Sequence, residues 1–408
     1  MKIFAGLFFL LLYNLSSAQS WTQINSPTTA RIGSVSFINQ DTGWVITSDS
    51  IYKTMNGGIS WISQSQSYPP DPAHDIRFFN TIQFVNANVG IIACGNYLYS
   101  GNNPALVSTI LWTNDGGNTW VYKDLGSADD YTLDAKLSSP TTAYATGQYG
   151  QGKKTTDGGA TWQQVGYTSY YTSAKLFPIN DDTVYFGGDD NIQNHAAVGK
   201  TTSGGVSWNV TTIIPSGTTY FNTIYFQSYR HGWAAGSSGL FMETIDGGNT
   251  WTSYGPVTNT NINGIAFTDS LNGWVVANSG QVLYSSDAGH SWTSQYTASN
   301  FLNDISFTQP HSVGYAVGSS GIILKYSGST GIETNSPDDR ISVYPNPSAG
   351  KIYFPFSVLV QIRDVSGKLI AEEKNCSSFD LSEFAPGIYF LDLCSEKDNV
   401  VHEKVIRN

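Results

Sequence analysis

An all-β fold is predicted by a six-residue turn that the sequence repeats six times, with strand-like segments between the copies. Each copy has Asp, Asn or Ser, then two small residues, any residue, Ser or Thr, and Trp. The tryptophans are 41 to 59 residues apart. Repeats of this length, each with several short strands, predict a β-propeller. The first and last residues of the six copies are Asn56 and Trp61, Asp115 and Trp120, Asp157 and Trp162, Ser203 and Trp208, Asp246 and Trp251, and Asp287 and Trp292.

The residue types of the repeat are those that a tight hairpin requires. Consecutive glycines permit positive φ angles, and the oxygen of Asp, Asn or Ser can accept hydrogen bonds from amides of its own turn. The tryptophan can bury a large flat surface between neighbouring sheets. Every unit needs a turn, whereas a catalytic acid is needed once. We therefore interpret the six polar residues as structural, rather than as calcium ligands or catalytic acids.

A second pattern gives the number of units. Each unit opens with a short alternating strand and continues with a strand that begins with Gly-aromatic or an equivalent pair, such as Gly43-Trp44. This pattern occurs seven times, although only six turns end in Trp. Residues 20–24 resemble the strand that follows each turn, so we expect them to complete the last unit and close a ring of seven blades. The seven openers are residues 35–37, 82–84, 135–137, 174–176, 224–226, 265–267 and 305–307.

Composition and charge are typical of an exported β-protein. Only 12% of the 408 residues are charged, the formal net charge is −11, and no basic patch is evident. A nucleic-acid partner is therefore not expected. Residues 1–18 have the charged start, apolar run and small-residue end of a secretory signal, with cleavage expected between Ala18 and Gln19. No later segment is apolar enough to span a membrane, so no transmembrane segment is expected after signal removal.

The repeats stop near residue 331, and a polar linker, residues 332–339, leads to a second module, residues 340–408. Its alternating apolar positions and short Gly and Pro turns predict a small antiparallel, immunoglobulin-like β-sandwich. Cys94 is expected to be a buried thiol. Cys376 and Cys394 could form a disulfide in an exported protein or remain free.

The C-terminal module resembles the type A sorting domain of the type IX secretion system. The resemblance rests on its Tyr-Pro-Asn-Pro opening, a Gly-Lys hairpin and a Gly-Ile-Tyr step. It implies a Bacteroidota-type Gram-negative host, passage through the periplasm, and export by the type IX machinery as this domain's partner. The exported protein would be either released or attached to the outer-membrane surface. The residues that carry the resemblance are Tyr344, Pro345, Asn346, Pro347, Gly367, Lys368, Gly387 and Tyr389.

The repeat region, residues 19–331, resembles the Asp-box (BNR) propellers. These include sialidases, xyloglucanases, sortilin-type receptors and the photosystem II assembly-factor family, and the repeat spacing is most similar to that of the assembly-factor group. The photosynthetic members are thought to bind partners through a basic surface. The region has only Arg31, Arg77 and Arg230, so that surface is not expected here.

An enzymatic role finds little support in the residues. Sialidases use three arginines, a Tyr–Glu nucleophile and an Asp acid, but the only Glu of the repeats, Glu243, directly precedes an Asp-box turn. The histidines lack metal-ligand spacing, and His290 lies inside a turn. Asp pairs in loops remain open as glycosidase carboxylates, so a secreted Asp-box glycoside hydrolase is the alternative function. No catalytic residue, metal or cofactor is predicted.

The function most consistent with the sequence is a secreted or cell-surface propeller that binds a protein or glycan without catalysis. A third possibility is an assembly factor for surface protein complexes. Binding residues are expected in long insertions between strands, because loops on a rigid scaffold commonly carry function. Tyrosines that fill gaps between blades would be the structural alternative. The candidate ligand-binding residues are Tyr68, Tyr97, Tyr99, Asp129, Asp130, Tyr131, Tyr170, Tyr171, Asp189 and Asp190.

Overall fold

A computed structural model gives the fold. It describes residues 20–64, 74–100, 103–128, 132–147, 152–166, 171–190, 195–213, 219–308, 313–327, 343, 348, 350–395 and 400–407. The chain is nearly all β, with 57% strand and 2% helix. The predicted signal and its cleavage site at Ala18 and Gln19 lie outside the described residues, as do the linker and the sorting-motif residues Tyr344, Pro345, Asn346 and Pro347. The domain boundaries therefore stay predictions.

The described residues between 20 and 327 form seven four-stranded antiparallel sheets, which we number in chain order. Sheet 1 contains β2 (Ser34–Phe37), β3 (Gly43–Ile46), β4 (Ile51–Thr54) and β5 (Ile62–Ser63). Sheet 2 contains β6 (His74–Phe84), β7 (Gly90–Ser100), β8 (Asn103–Thr113) and β9 (Val121–Ala128). Sheet 3 contains β10 (Thr132–Leu137), β11 (Ala143–Gly147), β12 (Gly152–Thr155) and β13 (Gln163–Val165). Sheet 4 contains β14 (Tyr171–Pro178), β15 (Val184–Asp190), β16 (His195–Thr201) and β17 (Asn209–Thr212).

The remaining three sheets follow the same order, with one exception. Sheet 5 contains β18 (Phe221–Phe226), β19 (Gly232–Gly236), β20 (Phe241–Thr244) and β21 (Thr252–Ser253). Sheet 6 contains β22 (Ile262–Phe267), β23 (Gly273–Ala277), β24 (Gln281–Ser285) and β25 (Thr293–Thr297). Sheet 7 contains β26 (Leu302–Phe307), β27 (Val313–Gly318), β28 (Ile323–Ser327) and, as its fourth strand, β1 (Ser20–Gln23). Two 3₁₀ turns, Ser237–Gly239 and Ser319–Gly321, lie in sheets 5 and 7.

The strand at the start of the chain completes sheet 7. β1 pairs antiparallel with β28, with Trp21 opposite Tyr326. The Trp21 side chain is 3% exposed and packs against the rings of Phe307 and Tyr326. This pairing is the one expected from the sequence. Together with the count of seven sheets, it supports the closed seven-bladed ring, which stays a prediction.

Aromatic pairs hold neighbouring sheets together and form much of the core. In each pair, a ring from the second strand of one sheet stacks on a Phe from the first strand of the next. Ring centroids are 3.5 Å apart for Trp44 and Phe84, and 3.6 Å for Trp233 and Phe267. The same contact joins sheet 7 to sheet 1, where Tyr315 and Phe37 are 3.5 Å apart. The predicted Gly-aromatic strand starts thus lie at the inter-sheet contacts.

Asparagine side chains repeat a second inter-sheet contact at the innermost strands. Each Nδ2 donates to a backbone carbonyl at the first strand of the next sheet. The contacts are Asn80 to Thr132 (2.7 Å), Asn222 to Ile262 (3.0 Å), Asn263 to Leu302 (2.6 Å) and Asn303 to Ile32 (2.8 Å). Since the last contact runs from sheet 7 to sheet 1, it also supports ring closure.

Two insertions that the sequence pattern assigns to loops are strand extensions. β7 and β8 stay paired from Gly90 opposite Thr113 to Ser100 opposite Asn103. Asp189 and Asp190 belong to β15 and pair with β14 on one side and β16 on the other. Backbone pairing on both sides outweighs the low strand propensity of Asp. For this reason, the amino-acid composition of this segment wrongly indicated a loop.

The C-terminal residues form one four-stranded antiparallel sheet in the order β30-β29-β31-β32. Its core includes Ile352, Val360 and Leu391, each with 0% exposure. The second sheet of the predicted sandwich is not among the described residues. The strands are β29 (Lys351–Arg363), β30 (Leu369–Asp380), β31 (Gly387–Ser395) and β32 (Val400–Arg407).

The structure places none of the three cysteines in a disulfide. Cys376 and Cys394 lie on the two strands that flank β29, opposite Val358 and Leu359 respectively. Successive residues of a strand point to opposite faces of a sheet. The two thiols therefore lie on opposite faces, which explains why the pairing left open by the sequence is not formed.

Candidate functional site: a central cavity

The first strands of all seven sheets line one cavity of about 380 Å³, called the central cavity below. Six of these strands share a pattern of polar, apolar, variable and then Phe or Leu, as in Asp304-Ile305-Ser306-Phe307, and sheet 6 has Gly264 at the polar position. Because side chains alternate along a strand, the apolar residue and the Phe or Leu pack between sheets, whereas the polar and variable positions reach the cavity wall.

Polar side chains at the wall satisfy the exposed edges of the first strands. Each first strand is an edge strand, so half of its amides lack a partner within the sheet. Side chains of the preceding sheet accept these hydrogen bonds. The amide of Phe84 donates to Oγ of Ser36 (3.0 Å), and the amide of Leu137 donates to Oε1 of Gln83 (2.6 Å).

Asp134 makes such contacts with both neighbouring sheets. Oδ1 accepts from the Thr81 hydroxyl (2.6 Å) and from the Ala135 amide (3.1 Å), and Oδ2 accepts from the Leu176 amide (2.9 Å). The side chain is fully buried. Burial alone would raise the pKa of this carboxyl, but Lys136, Lys175 and the hydrogen bonds hold the pKa below its ordinary value.

Asp304 has the same role between sheets 7 and 1. Oδ2 accepts from the Ser34 hydroxyl (2.6 Å) and the Val35 amide (3.0 Å), and Oδ1 accepts from the Ile305 amide (2.9 Å). Both oxygens of each cavity carboxylate are thus engaged by backbone or hydroxyl donors. Such carboxylates stabilise sheet packing and are poorly placed to transfer protons to a ligand.

Two lysines on adjacent sheets give one side of the cavity a cationic wall. Lys136 and Lys175 occupy the same variable position in sheets 3 and 4, and both line the cavity. Nζ of Lys136 is 3.8 Å from Oδ1 of Asp134, which is too far for a hydrogen bond. Ala266 and Ser306 occupy this position on sheets 6 and 7, and the larger Gln83 and Tyr225 occupy it on sheets 2 and 5.

The six Asp-box residues make the hydrogen bonds of a local turn. Asp246 is representative: Oδ1 accepts from the Thr244 hydroxyl and the Thr250 amide, both at 2.9 Å, and Oδ2 accepts from the Thr250 hydroxyl at 2.6 Å. These bonds hold the pKa of Asp246 at about 2, although burial opposes them. Equivalent bonds, made at the same spacing, support a structural role for Asn56, Asp115, Asp157, Ser203 and Asp287.

The ligand-binding face predicted from the sequence falls largely outside the described part of the chain. Asp189 is 8% exposed within β15, and Asp190 ends the same strand. The grouping of these candidates therefore stays a prediction. Tyr68, Asp129, Asp130, Tyr131 and Tyr170 lie outside the described residues, as do the side chains of Tyr97, Tyr99 and Tyr171.

A carboxylate–histidine cluster between sheets 5 and 6, centred on the buried Glu243, was not predicted from the sequence. Glu243 is 6% exposed and lies 2.7 Å from Nε2 of His231 and 3.1 Å from Nε2 of His290. The ring of Tyr254 packs 4.2 Å from that of His290. Burial would raise the pKa of Glu243, but its hydrogen bonds to His231, His290 and Tyr254 lower it. The expectation that His290 is structural stays a prediction.

Glu243 occupies a position that lysine holds elsewhere in the repeats. In four sheets, a lysine donates to a glycine carbonyl in the turn of the next sheet. These contacts are Lys53 to Gly116 (3.0 Å), Lys154 to Gly204 (3.2 Å), Lys200 to Gly247 (2.8 Å) and Lys325 to Gly57 (3.1 Å). Between sheets 5 and 6, the indole of Trp233 donates to the Ala288 carbonyl instead (2.8 Å).

Metal sites and membrane spans can be assessed for the part of the chain that the structure describes. There, no group of three or more His, Cys, Asp or Glu side chains is arranged to hold a metal ion. Among the same residues, no helix has the length and apolar character needed to cross a membrane.

Family comparisons confirm the two resemblances drawn from the sequence. Residues 342–408 match the family described as secretion system C-terminal sorting domain, and residues 252–327 match the family described as photosynthesis system II assembly factor YCF48. The first match indicates export by a type IX secretion system, typical of Bacteroidota, with a secreted or surface fate. No curated protein matches the chain in sequence.

Solved structures share the propeller fold. YCF48 bound to D1 peptide is 20% identical, covers 75% of this chain and 96% of its own, and has a TM-score of 0.58. YCF48 from Cyanidioschyzon merolae is 18% identical, covers 76% of this chain and 98% of its own, and has a TM-score of 0.56. The GH74 xyloglucanase from Xanthomonas campestris is 10% identical, covers 92% of this chain and 59% of its own, and has a TM-score of 0.59. At these identities the likeness extends to the fold alone.

Proposed function

We propose that this chain is an exported propeller that binds a partner molecule without transforming it. The C-terminal module would direct export and the sheets would carry the binding surface. Ligand contacts would come from the central cavity and from the face predicted around Tyr97 and Tyr171. After export, the protein would be released or held at the outer-membrane surface.

One observation carries the non-catalytic part of the proposal: the cavity carboxylates are committed to sheet packing. Asp134 and Asp304 each accept three hydrogen bonds from backbone or hydroxyl donors. Glycoside hydrolysis needs one carboxyl group to give up a proton and a second to attack or to activate water. Carboxylates whose two oxygens are both occupied by fixed donors are poorly placed to hand a proton to a leaving group.

The comparisons supply candidates for the partner. One similar propeller is bound to a peptide and another is a xyloglucanase. Peptide binding would agree with a scaffold or assembly-factor role, whereas hydrolysis of a glycan would be the alternative function. A polar cavity with two lysines and engaged carboxylates favours binding over hydrolysis.

The test uses the full chain without its predicted signal, residues 19–408. We expect saturable binding to members of a defined peptide and glycan panel, and no release of products from sialosides or xyloglucan. Product release above that of a heat-inactivated sample would overturn the non-catalytic proposal. Replacing Tyr97, Tyr99, Tyr170 and Tyr171 together by Ala tests the predicted face, because loss of binding would place the partner there.

A further inference from the structure

Resting on the proposed binding function, we infer that the central cavity holds a carboxylate group of its ligand between Lys136 and Lys175. The two side chains come from adjacent first strands, β10 and β14, at the same position of the repeated strand pattern. Both line the cavity of about 380 Å³. That volume suits a compact ligand or one end of a longer one.

The charge on this side of the cavity is the first argument. Asp134 is the carboxylate beside the two lysines, so this group of three side chains carries one net positive charge; the other carboxylate of the lining, Asp304, belongs to sheet 7. Both oxygens of Asp134 are engaged by Thr81, Ala135 and Leu176. The 3.8 Å separation leaves the Lys136 ammonium without a direct hydrogen bond to that carboxylate. An incoming anion could therefore take charge-assisted hydrogen bonds from it.

The shape of the wall is the second argument. At the position of the two lysines, the strands of sheets 6, 7 and 1 carry Ala266, Ser306 and Ser36. Sheets 2 and 5 carry the larger Gln83 and Tyr225 at this position, so the short side chains of the cavity lining are those of sheets 6 and 7. The asymmetry arises because only two of the seven first strands carry lysine here. A ligand would thus be oriented with its anionic end towards sheets 3 and 4.

The probes are two carboxylates with neutral partners of similar shape. Glucuronate is compared with glucose, and acetyl-Ala-Ala with its C-terminal amide, so the arms separate a sugar source from a peptide source. Binding to the full chain without its signal is measured by calorimetry at low and high salt. We expect one carboxylate to bind, its neutral partner to bind at least tenfold more weakly, and salt to weaken the binding.

Lysine variants locate the site. We expect Lys136→Met and Lys175→Met each to weaken carboxylate binding about tenfold, as loss of a charge-assisted hydrogen bond implies. Lys153→Met, a charge-matched control on β12 outside the cavity lining, should bind as the parent does. Thermal unfolding of each variant shows that the fold is retained. If Lys136→Met does not fold, Lys136→Arg takes its place as the test. This variant keeps the charge and should retain most of the affinity.

Three outcomes would overturn the inference: no carboxylate probe binds, each neutral partner binds equally well, or both Met variants bind like the parent. Each outcome leaves the proposed function standing if the peptide and glycan panel still gives saturable binding. Conversely, turnover of a bound carboxylate would overturn the proposed function while supporting the cavity as its site.

Discussion

The carboxylate of Glu243 lies 2.7 Å from Nε2 of His231, and the two side chains are 6% and 7% exposed. They meet at the junction between sheets 5 and 6. At the equivalent place in four other junctions, a lysine donates a hydrogen bond to a glycine carbonyl. His290 in the next turn completes the arrangement at 3.1 Å. One junction is thus built from a carboxylate and two imidazoles, whereas four others are built from lysine.

Glu243→Gln should lower the free energy of unfolding at pH 7 by about 1–2 kcal/mol, because charge-assisted hydrogen bonds are lost. The pKa of Glu243 is lowered from 4.5 by its bonds, against the effect of burial. Its contribution is therefore present above pH 4.5 and is lost as pH falls through the lower folded pKa. Urea unfolding at several pH values should show the difference from the parent shrinking towards pH 3.

Asp269→Asn is the matched control for that experiment. Asp269 accepts hydrogen bonds from the amides of Leu271 and Asn272 (2.8 and 2.7 Å), and Asn39 makes the same bonds in sheet 1. The control should cost less than Glu243→Gln, because the amide oxygen keeps both backbone bonds and only the bond from Nδ2 of Asn272 to Oδ2 of Asp269 (2.8 Å) is lost. A Glu243→Gln effect that does not depend on pH would contradict the role given to the carboxylate.

Ala288→Gly should stabilise the protein by about 1 kcal/mol, because Ala288 holds a φ of 65° in a turn where five other copies have Gly. A left-handed conformation is costly for a residue with a Cβ atom. Ala277→Gly, in the extended strand β23, should instead destabilise. Thermal and urea unfolding measure both. Destabilisation by Ala288→Gly would show that the buried methyl group outweighs the backbone strain.

Trp21→Ala should cost about 3–5 kcal/mol, since the indole is 3% exposed and contacts Phe307 and Tyr326. Thr22→Ala, at an exposed position of the same strand, is the control and should be nearly neutral. Equilibrium unfolding of both variants compares the two. If Trp21→Ala were also neutral, β1 would not contribute to the folded sheet, and the argument for ring closure would fail.

Asp246→Ala should destabilise by about 1–2 kcal/mol through loss of the three turn hydrogen bonds. Asp246→Asn should cost less, because Asn56 makes equivalent bonds in sheet 1. The pKa of Asp246 is about 2 against an ordinary 3.8. The charge therefore stabilises above pH 3.8, and this contribution is lost as pH falls towards 2. In urea unfolding of Asp246→Asn, the free energy of unfolding should therefore fall less than that of the parent between pH 3.8 and pH 2.

Local patterns were sufficient to predict the sheets and turns. The Gly-Gly-x-Ser/Thr-Trp repeat specifies a hairpin through φ requirements, and its recurrence exposes the period. The likeness of residues 20–24 to the strand after each turn was enough to pair β1 with β28. These features depend on neighbours in sequence or on repetition, and both are visible in a single chain.

Features made once, by residues far apart in sequence, were not predictable in this way. Glu243 looked isolated because His231 and His290 are 12 and 47 residues away, and the likeness of its position to that of Lys200 was the available signal. Lys136 and Lys175 become neighbours only when adjacent sheets meet. The loop assignment at Asp189 failed because strand pairing overrode propensity.

Pairing of β1 with β28 brings together residues that lie 303 positions apart, as in the bond from the Thr22 hydroxyl to the Lys325 carbonyl. Contacts of such high contact order form late, because the entropy of closing so long a loop is lost before they form. During synthesis, β1 must therefore wait unpaired until β28 is available. A chain cut short before residue 323 would leave that strand as an open edge, prone to aggregation.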